Sequence, residues 1–200
     1  MKCRYFTFLF LSFLISSEVE VDGKAPLFKL ENEYGEKISL EDFSGKKIIL
    51  EWTNHECPFV IRHYETQNMQ SLQKDFTEDG VIWLSIISSA PNRQGHVTKK
   101  QSIQLTEDRD AYPTHVLFDP DGSVGKMYGA KTTPHMYIID EQRLLRYAGA
   151  IDDLGMTGAL FNTDLSTSNN YIRLAMNSIA ENKEIKDKKT RPYGCSIKYP

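Results

Sequence analysis

Two hundred residues with a 40% hydrophobic share are enough for one domain with a sizeable core plus short extensions. A net charge of -3 leaves no electrostatic footprint for nucleic acid or an anionic membrane surface. The locally basic stretch 183–191 reads as a solvated tail.

Lys2 and Arg4 precede an apolar run over residues 6–15, followed by Ser16, Ser17 and an acidic stretch. A basic start, a short apolar run and small residues after it make residues 1–22 a signal peptide. The run is short for a bilayer-spanning helix. The expectation is therefore an exported protein, periplasmic or extracellular, with a folded domain over 23–182 and a tail over 183–200. Cys3 leaves with the signal peptide. Cys57 and Cys195 remain, enough for one disulfide within a chain or between chains.

After Ala25, the alternation of Phe28 and Leu30 with polar residues, a turn at Tyr34-Gly35 and a return over 37–39 predict a hairpin. Ser39 is placed to cap a short turn that Gly45 closes. Residues 48–52 read as a buried strand. After Pro58, the apolar positions Ile61, Tyr64, Met69, Leu72 and Phe76 follow helical spacing until Asp79-Gly80. The continuous apolar run 81–87 suits a strand covered on both faces. A polar helix is expected over 97–106 and a strand over 116–118. Strands over 136–139 and 144–148 are joined by a tight turn, and a final amphipathic helix covers 171–179. Strands alternating with helices give an α/β fold with a mixed sheet.

Cys57 lies where the first long strand runs through a polar loop into a helix. Pro58 fits the first helical position, which leaves Cys57 at the helix N-terminus, where unpaired N–H groups favour negative charge. A free thiol with a pKa of about 8.5 is only a few per cent thiolate at neutral pH, and the thiolate is the nucleophile. Cys57 thus reads as a redox nucleophile, with the adjacent Glu56 acting against its ionisation.

The ensemble resembles the thioredoxin-like superfamily, in its peroxiredoxin and redoxin branch. Ala25-Pro26-x-Phe28-x-Leu30, Gly35 and Ser39-Leu40-x-Asp42-Phe43-x-Gly45-Lys46 are similar to that branch's N-terminal hairpin extension. Leu50-Glu51-Trp52 leading to Cys57-Pro58 is similar to the strand that delivers the nucleophile. Thr132-Thr133-Pro134 before a strand resembles the cis-proline segment, whose proline and preceding residue lie against the active-site sulfur. Asp119-Pro-Asp-Gly122 and Tyr147-Ala-Gly149 match the spacing of the C-terminal half. The resemblance implies a thioredoxin-like fold, a central mixed sheet flanked by helices, with Thr133 and Pro134 beside Cys57.

Two departures bear on mechanism. The motif is Cys57-Pro58-Phe59-Val60, so Val60 stands where a thioredoxin has its second cysteine. The peroxiredoxin motif Pro-x-x-x-Thr-x-x-Cys is altered, with Asn54 at the threonine position and Leu50 at the proline position. Asn54 or Thr53 remains able to hydrogen-bond a peroxide oxygen, and loop capping is the other reading for both. In the tail, Cys195 follows Gly194, with Tyr193, Ile197 and Tyr199 available as anchors. The resemblance implies that Cys195 resolves an oxidised Cys57. It also gives Glu51 the position of the buried acid that assists proton transfer in thioredoxin. His55, His63 and His135 have no zinc-site spacing, Arg62 suits a helix-surface ion pair, and Asp152-Asp153 is a weak cation candidate.

The expected function is a peroxiredoxin-like, thiol-dependent oxidoreductase using Cys57 and Cys195, with no metal or organic cofactor. Its partners would be a peroxide or disulfide substrate and a dithiol reductant protein, with a homodimer left open and no nucleic acid. The alternatives are thiol–disulfide exchange on protein thiols, or a non-catalytic peptide-binding module.

Overall fold

The strand before Cys57, β3 (Ile48–Trp52), is buried at every position and runs through the middle of a seven-stranded sheet. The computed structural model describes residues 19–161, 165 and 167–200, so most of the expected signal peptide, including Cys3, lies outside them. The remaining strands are β1 (Lys29–Asn32), β2 (Lys37–Ser39), β4 (Ile82–Ile87), β5 (His115–Phe118), β7 (His135–Ile139) and β8 (Leu145–Gly149), in the order β2-β1-β5-β4-β3-β7-β8. β3 runs parallel to β4 and antiparallel to β7, so the sheet is mixed, as expected. A separate two-stranded ribbon pairs β6 (Thr132–Thr133) with β9 (Cys195–Ser196).

Side chains of a strand alternate between faces, and here both faces are covered. Ile48, Leu50 and Trp52 join Leu84, Ile86, Tyr128 and Tyr137 on one side. Ile49 joins Trp83, Met136 and Ile138 on the other, beneath the helices. The helical pattern after Pro58 is two helices rather than one, α1 (Pro58–Glu65) and α2 (Asn68–Glu78). The break falls at Gln67, whose φ of 60° leaves the helical region. Tyr64, Met69, Leu72 and Phe76 still reach one core, because the kink keeps them on a common face.

The polar helix α3 (Lys99–Asp108) opens on a capping box between Thr98 and Gln101, two residues later than expected. The turn at Asp119 to Gly122 continues into an unanticipated helix, α4 (Ser123–Tyr128), whose buried Asp119 accepts the Val124 and Gly125 N–H groups. A second unanticipated helix, α5 (Gly155–Phe161), precedes α6 (Tyr171–Ala180).

The C-terminal segment is an integral part of the fold. The Thr190 N–H and the Lys188 carbonyl bond to Ala148 at the end of β8, and the Lys198 carbonyl accepts the Ala90 N–H at 2.9 Å. Tyr199 lies over Gly122 and Gly125, where any β-carbon would collide with its ring, and its hydroxyl donates to the Ala130 carbonyl at 2.8 Å.

Candidate active site

β3 ends at Trp52, and the chain leaves the sheet through residues 53–56 to deliver Cys57 as the N-cap of α1, with Pro58 in the first turn. The loop is built from its own polar groups. Asn54 Oδ1 accepts the Glu56 N–H at 2.9 Å, and the Asn54 carbonyl accepts the Cys57 N–H at 3.0 Å. Asn54 Nδ2 donates to the Gln94 carbonyl at 3.4 Å, while the Glu56 carboxylate takes the Gly95 N–H. Gly95 has a φ of +84°, and Asn54 occupies the space a side chain there would need. Asn54 therefore serves the loop, and the Glu56 carboxylate is engaged by backbone.

Cys57 is fully buried among Phe59, Val60 and Met136. Its thiol donates to the Thr133 carbonyl at 3.1 Å. The Thr133–Pro134 peptide bond is cis. On the ribbon, Thr133 stands directly opposite Cys195 in antiparallel register. Thr133 thus touches both cysteines, which are reduced and share a hydrogen bond. Gly194 makes this approach feasible. Its φ is +125°, and a β-carbon there would run into the Thr133 carbonyl.

The two thiols differ in acidity. Burial is the largest influence on Cys57 and opposes its thiolate. Hydrogen bonds to the Cys195 thiol, to Thr133 and to the backbone of Val60 and Cys195 together outweigh that, and hold the Cys57 pKa below its ordinary value. Cys195 moves the other way: burial, its bond to Cys57 and the charge there push it up to about 12. The site therefore sets a thiol of lowered pKa against one of raised pKa, which serves as a hydrogen-bond donor to the Cys57 sulfur. Removing that donor by Cys195→Ala should shift the pH midpoint of Cys57 thiolate absorbance upward. An unshifted midpoint would mean that the helix terminus and Thr133 set the acidity without Cys195.

Glu51 is fully buried, and its Oε2 accepts from Trp83 Nε1 at 2.9 Å, Ser85 Oγ at 2.9 Å and Gln73 Nε2 at 3.2 Å. Burial raises its pKa, with these donors opposing. These bonds run to β4 and α2 rather than to Cys57. His135 Nδ1 accepts the Lys131 N–H at 3.2 Å, and burial lowers its pKa to about 3, a structural role. His55 is half-buried, and its carbonyl accepts from Arg109. Among the described residues no group of three His, Cys, Asp or Glu side chains converges as a metal site. Asp153 binds Asn169, whereas Asp152 turns inward to Tyr193. That inward cluster escaped the sequence reading, because its members lie on three distant segments.

A cysteine at a strand–helix junction, facing a cis-proline segment on a mixed sheet, defines a thioredoxin-like redox protein. The chain belongs to the AhpC/TSA family, whose model matches residues 21–148. It is 28% identical over 144 residues to "Putative peroxiredoxin bcp" of Coxiella burnetii, spanning 72% of this chain and 88% of that protein. It is 26% identical over 136 residues to the thiol-disulfide oxidoreductase ResA of Halalkalibacterium halodurans, spanning 68% and 72% respectively. Among solved structures, an uncharacterized conserved protein from Geobacillus kaustophilus superimposes with a TM-score of 0.77 at 26% identity, covering 90% of this chain and 93% of that one. The family match ends before Cys195, so the tail thiol rests on geometry alone.

Proposed function

We propose that this oxidoreductase is a thiol peroxidase in which Cys57 is the nucleophile and Cys195 the resolving thiol. The observation that carries the reading is the placement of the two cysteines. Cys195 stands opposite Thr133 on the β6–β9 ribbon, and the Thr133 carbonyl accepts a hydrogen bond from the buried Cys57 thiol, with the pKa of Cys57 lowered and that of Cys195 raised. The Cys57 thiolate attacks the peroxide O–O bond, becoming a sulfenic acid as the distal oxygen leaves as hydroxide or alkoxide. Cys195 sulfur then bonds Cys57 sulfur, and water departs with the Cys195 proton. An external dithiol protein reduces the disulfide by exchange. Cys57, as the more acidic thiol, is the better leaving group, so the reductant's mixed disulfide forms on Cys195, which is also the more exposed of the two.

A second reading, thiol–disulfide exchange on protein substrates, is favoured by one observation. Asn54 replaces the peroxiredoxin threonine and is occupied in the loop. Single-turnover oxidation separates the two. Hydrogen peroxide should oxidise Cys57 much faster than a free thiol, with sulfenic acid trapped in Cys195→Ser and a Cys57–Cys195 disulfide in the wild type. Peroxide oxidation at the free-thiol rate, alongside rapid oxidation by a peptide disulfide, would replace peroxidase by exchange. Export of the mature chain belongs to the same proposal and rests on the apolar run at residues 6–15.

A further inference from the structure

Three buried polar side chains lie beside the cysteines without taking part in the redox steps. His63 is on α1, Asp152 follows β8, and Tyr193 is on the tail, two residues before Cys195. The Tyr193 hydroxyl donates to Asp152 Oδ1 at 2.6 Å and stands 3.1 Å from His63 Nε2. Asn68 Nδ2 lies 2.8 Å from His63 Nδ1. With a neutral imidazole the donors and acceptors close into one chain. Asn68 donates to His63 Nδ1, His63 Nε2–H donates to the Tyr193 oxygen, and Tyr193 donates to Asp152. The Tyr193 ring also packs edge-on against Phe59, two residues after Cys57, at 5.8 Å between centroids.

We propose that Tyr193, held by His63 and Asp152, is a latch that positions Cys195 over Cys57 and must open to admit substrate. The inference rests on the reading of the two cysteines as a redox pair. With the tail docked, Cys57 is 0% exposed, so the tail lifts before an oxidant meets the sulfur. Resolution needs the opposite, since the Cys195 sulfur must sit against the oxidised Cys57. A polar anchor suits such a reversible contact. Once the tail lifts, water replaces Tyr193 at His63 and Asp152, whereas an apolar anchor would leave a dry pocket. Among the described residues Asp152 Oδ2 has no hydrogen-bond partner in the docked state, His63 Nε2 standing 3.9 Å away, so its rehydration offsets part of the cost of opening. Gly194 then carries the chain from the anchor directly to the Thr133 edge. Tyr193, His63 and Asp152 are positioning residues, acting through the tail.

Tyr193→Phe in the full chain tests this, with N-ethylmaleimide labelling and hydrogen peroxide oxidation followed residue by residue by mass spectrometry. Labelling of Cys57 should become about tenfold faster and Cys57–Cys195 disulfide formation about tenfold slower, the scale of one lost hydrogen bond. General destabilisation would not produce that pair of opposite changes at an unchanged melting temperature. Asp152→Ala should behave like Tyr193→Phe, and Asp152→Asn, which keeps the acceptor, like the wild type. Wild-type rates for both reactions in Tyr193→Phe would overturn the latch. Faster labelling in Tyr193→Phe, with no disulfide formed in the wild type, would uphold the latch and remove the resolving role instead.

Discussion

Replacing Cys57 by serine should reduce the rate of peroxide consumption by at least about a thousandfold, equivalent to about 4 kcal/mol of barrier. Serine preserves the volume and the helix N-cap, but its hydroxyl has no accessible anion, while the thiolate that Cys57 forms is the species that attacks. The loss should be confined to chemistry. The Cys57 thiol donates to the Thr133 carbonyl, and serine can replace that donor. The measurement is peroxide loss under single-turnover conditions, beside a urea denaturation curve. Full activity in the serine variant, with normal folding, would move the nucleophile elsewhere and leave Cys57 as a core residue.

Replacing Glu51 by alanine should cost about 3–5 kcal/mol of stability, the range for breaking a buried polar network. Trp83, Ser85 and Gln73 would each lose an acceptor in the buried interior, and a cavity would be added. Glu51→Gln keeps an acceptor oxygen and should lose far less. The pH dependence has a definite sign. Burial raises the folded-state pKa above the ordinary value of 4.5, so over that window the unfolded chain binds fewer protons than the folded one. Stability from this group is full below 4.5, falls as pH rises towards the folded-state pKa, and is flat beyond it. Urea midpoints across that window should slope downward in the wild type and flatten in Glu51→Gln. Equal slopes would place the titration on another group.

The nucleophile's setting was legible because its signals are local. The apolar run at 48–52, the polar loop and Pro58 depend on neighbours within a few residues. The structure keeps them in that arrangement, with Cys57 at the N-cap and Pro58 in the first turn. The break at Gln67 was not legible, because Tyr64 and Met69 fit helical spacing whether or not the backbone kinks between them. The helix over 123–128 was missed for a related reason. Its six residues carry little periodicity, and Asp119 supplies acceptors from outside it.

The site divides the same way. Asn54 was open to two readings, and the loop partners Gln94 and Gly95, forty residues away in the chain, show which contacts it makes. Asp152 was read with Asp153 as a weak cation candidate, yet it faces Tyr193 while Asp153 faces Asn169. Sequence by itself determined the fold class, through hydrophobic periodicity and turn residues, and the junction that holds Cys57. Tertiary structure alone decided that Cys195 stands opposite Thr133 and that Tyr193 meets His63 and Asp152. Those contacts join segments far apart in the chain. Such pairings follow from how the tail packs on the finished sheet, and no local preference of a few residues encodes them.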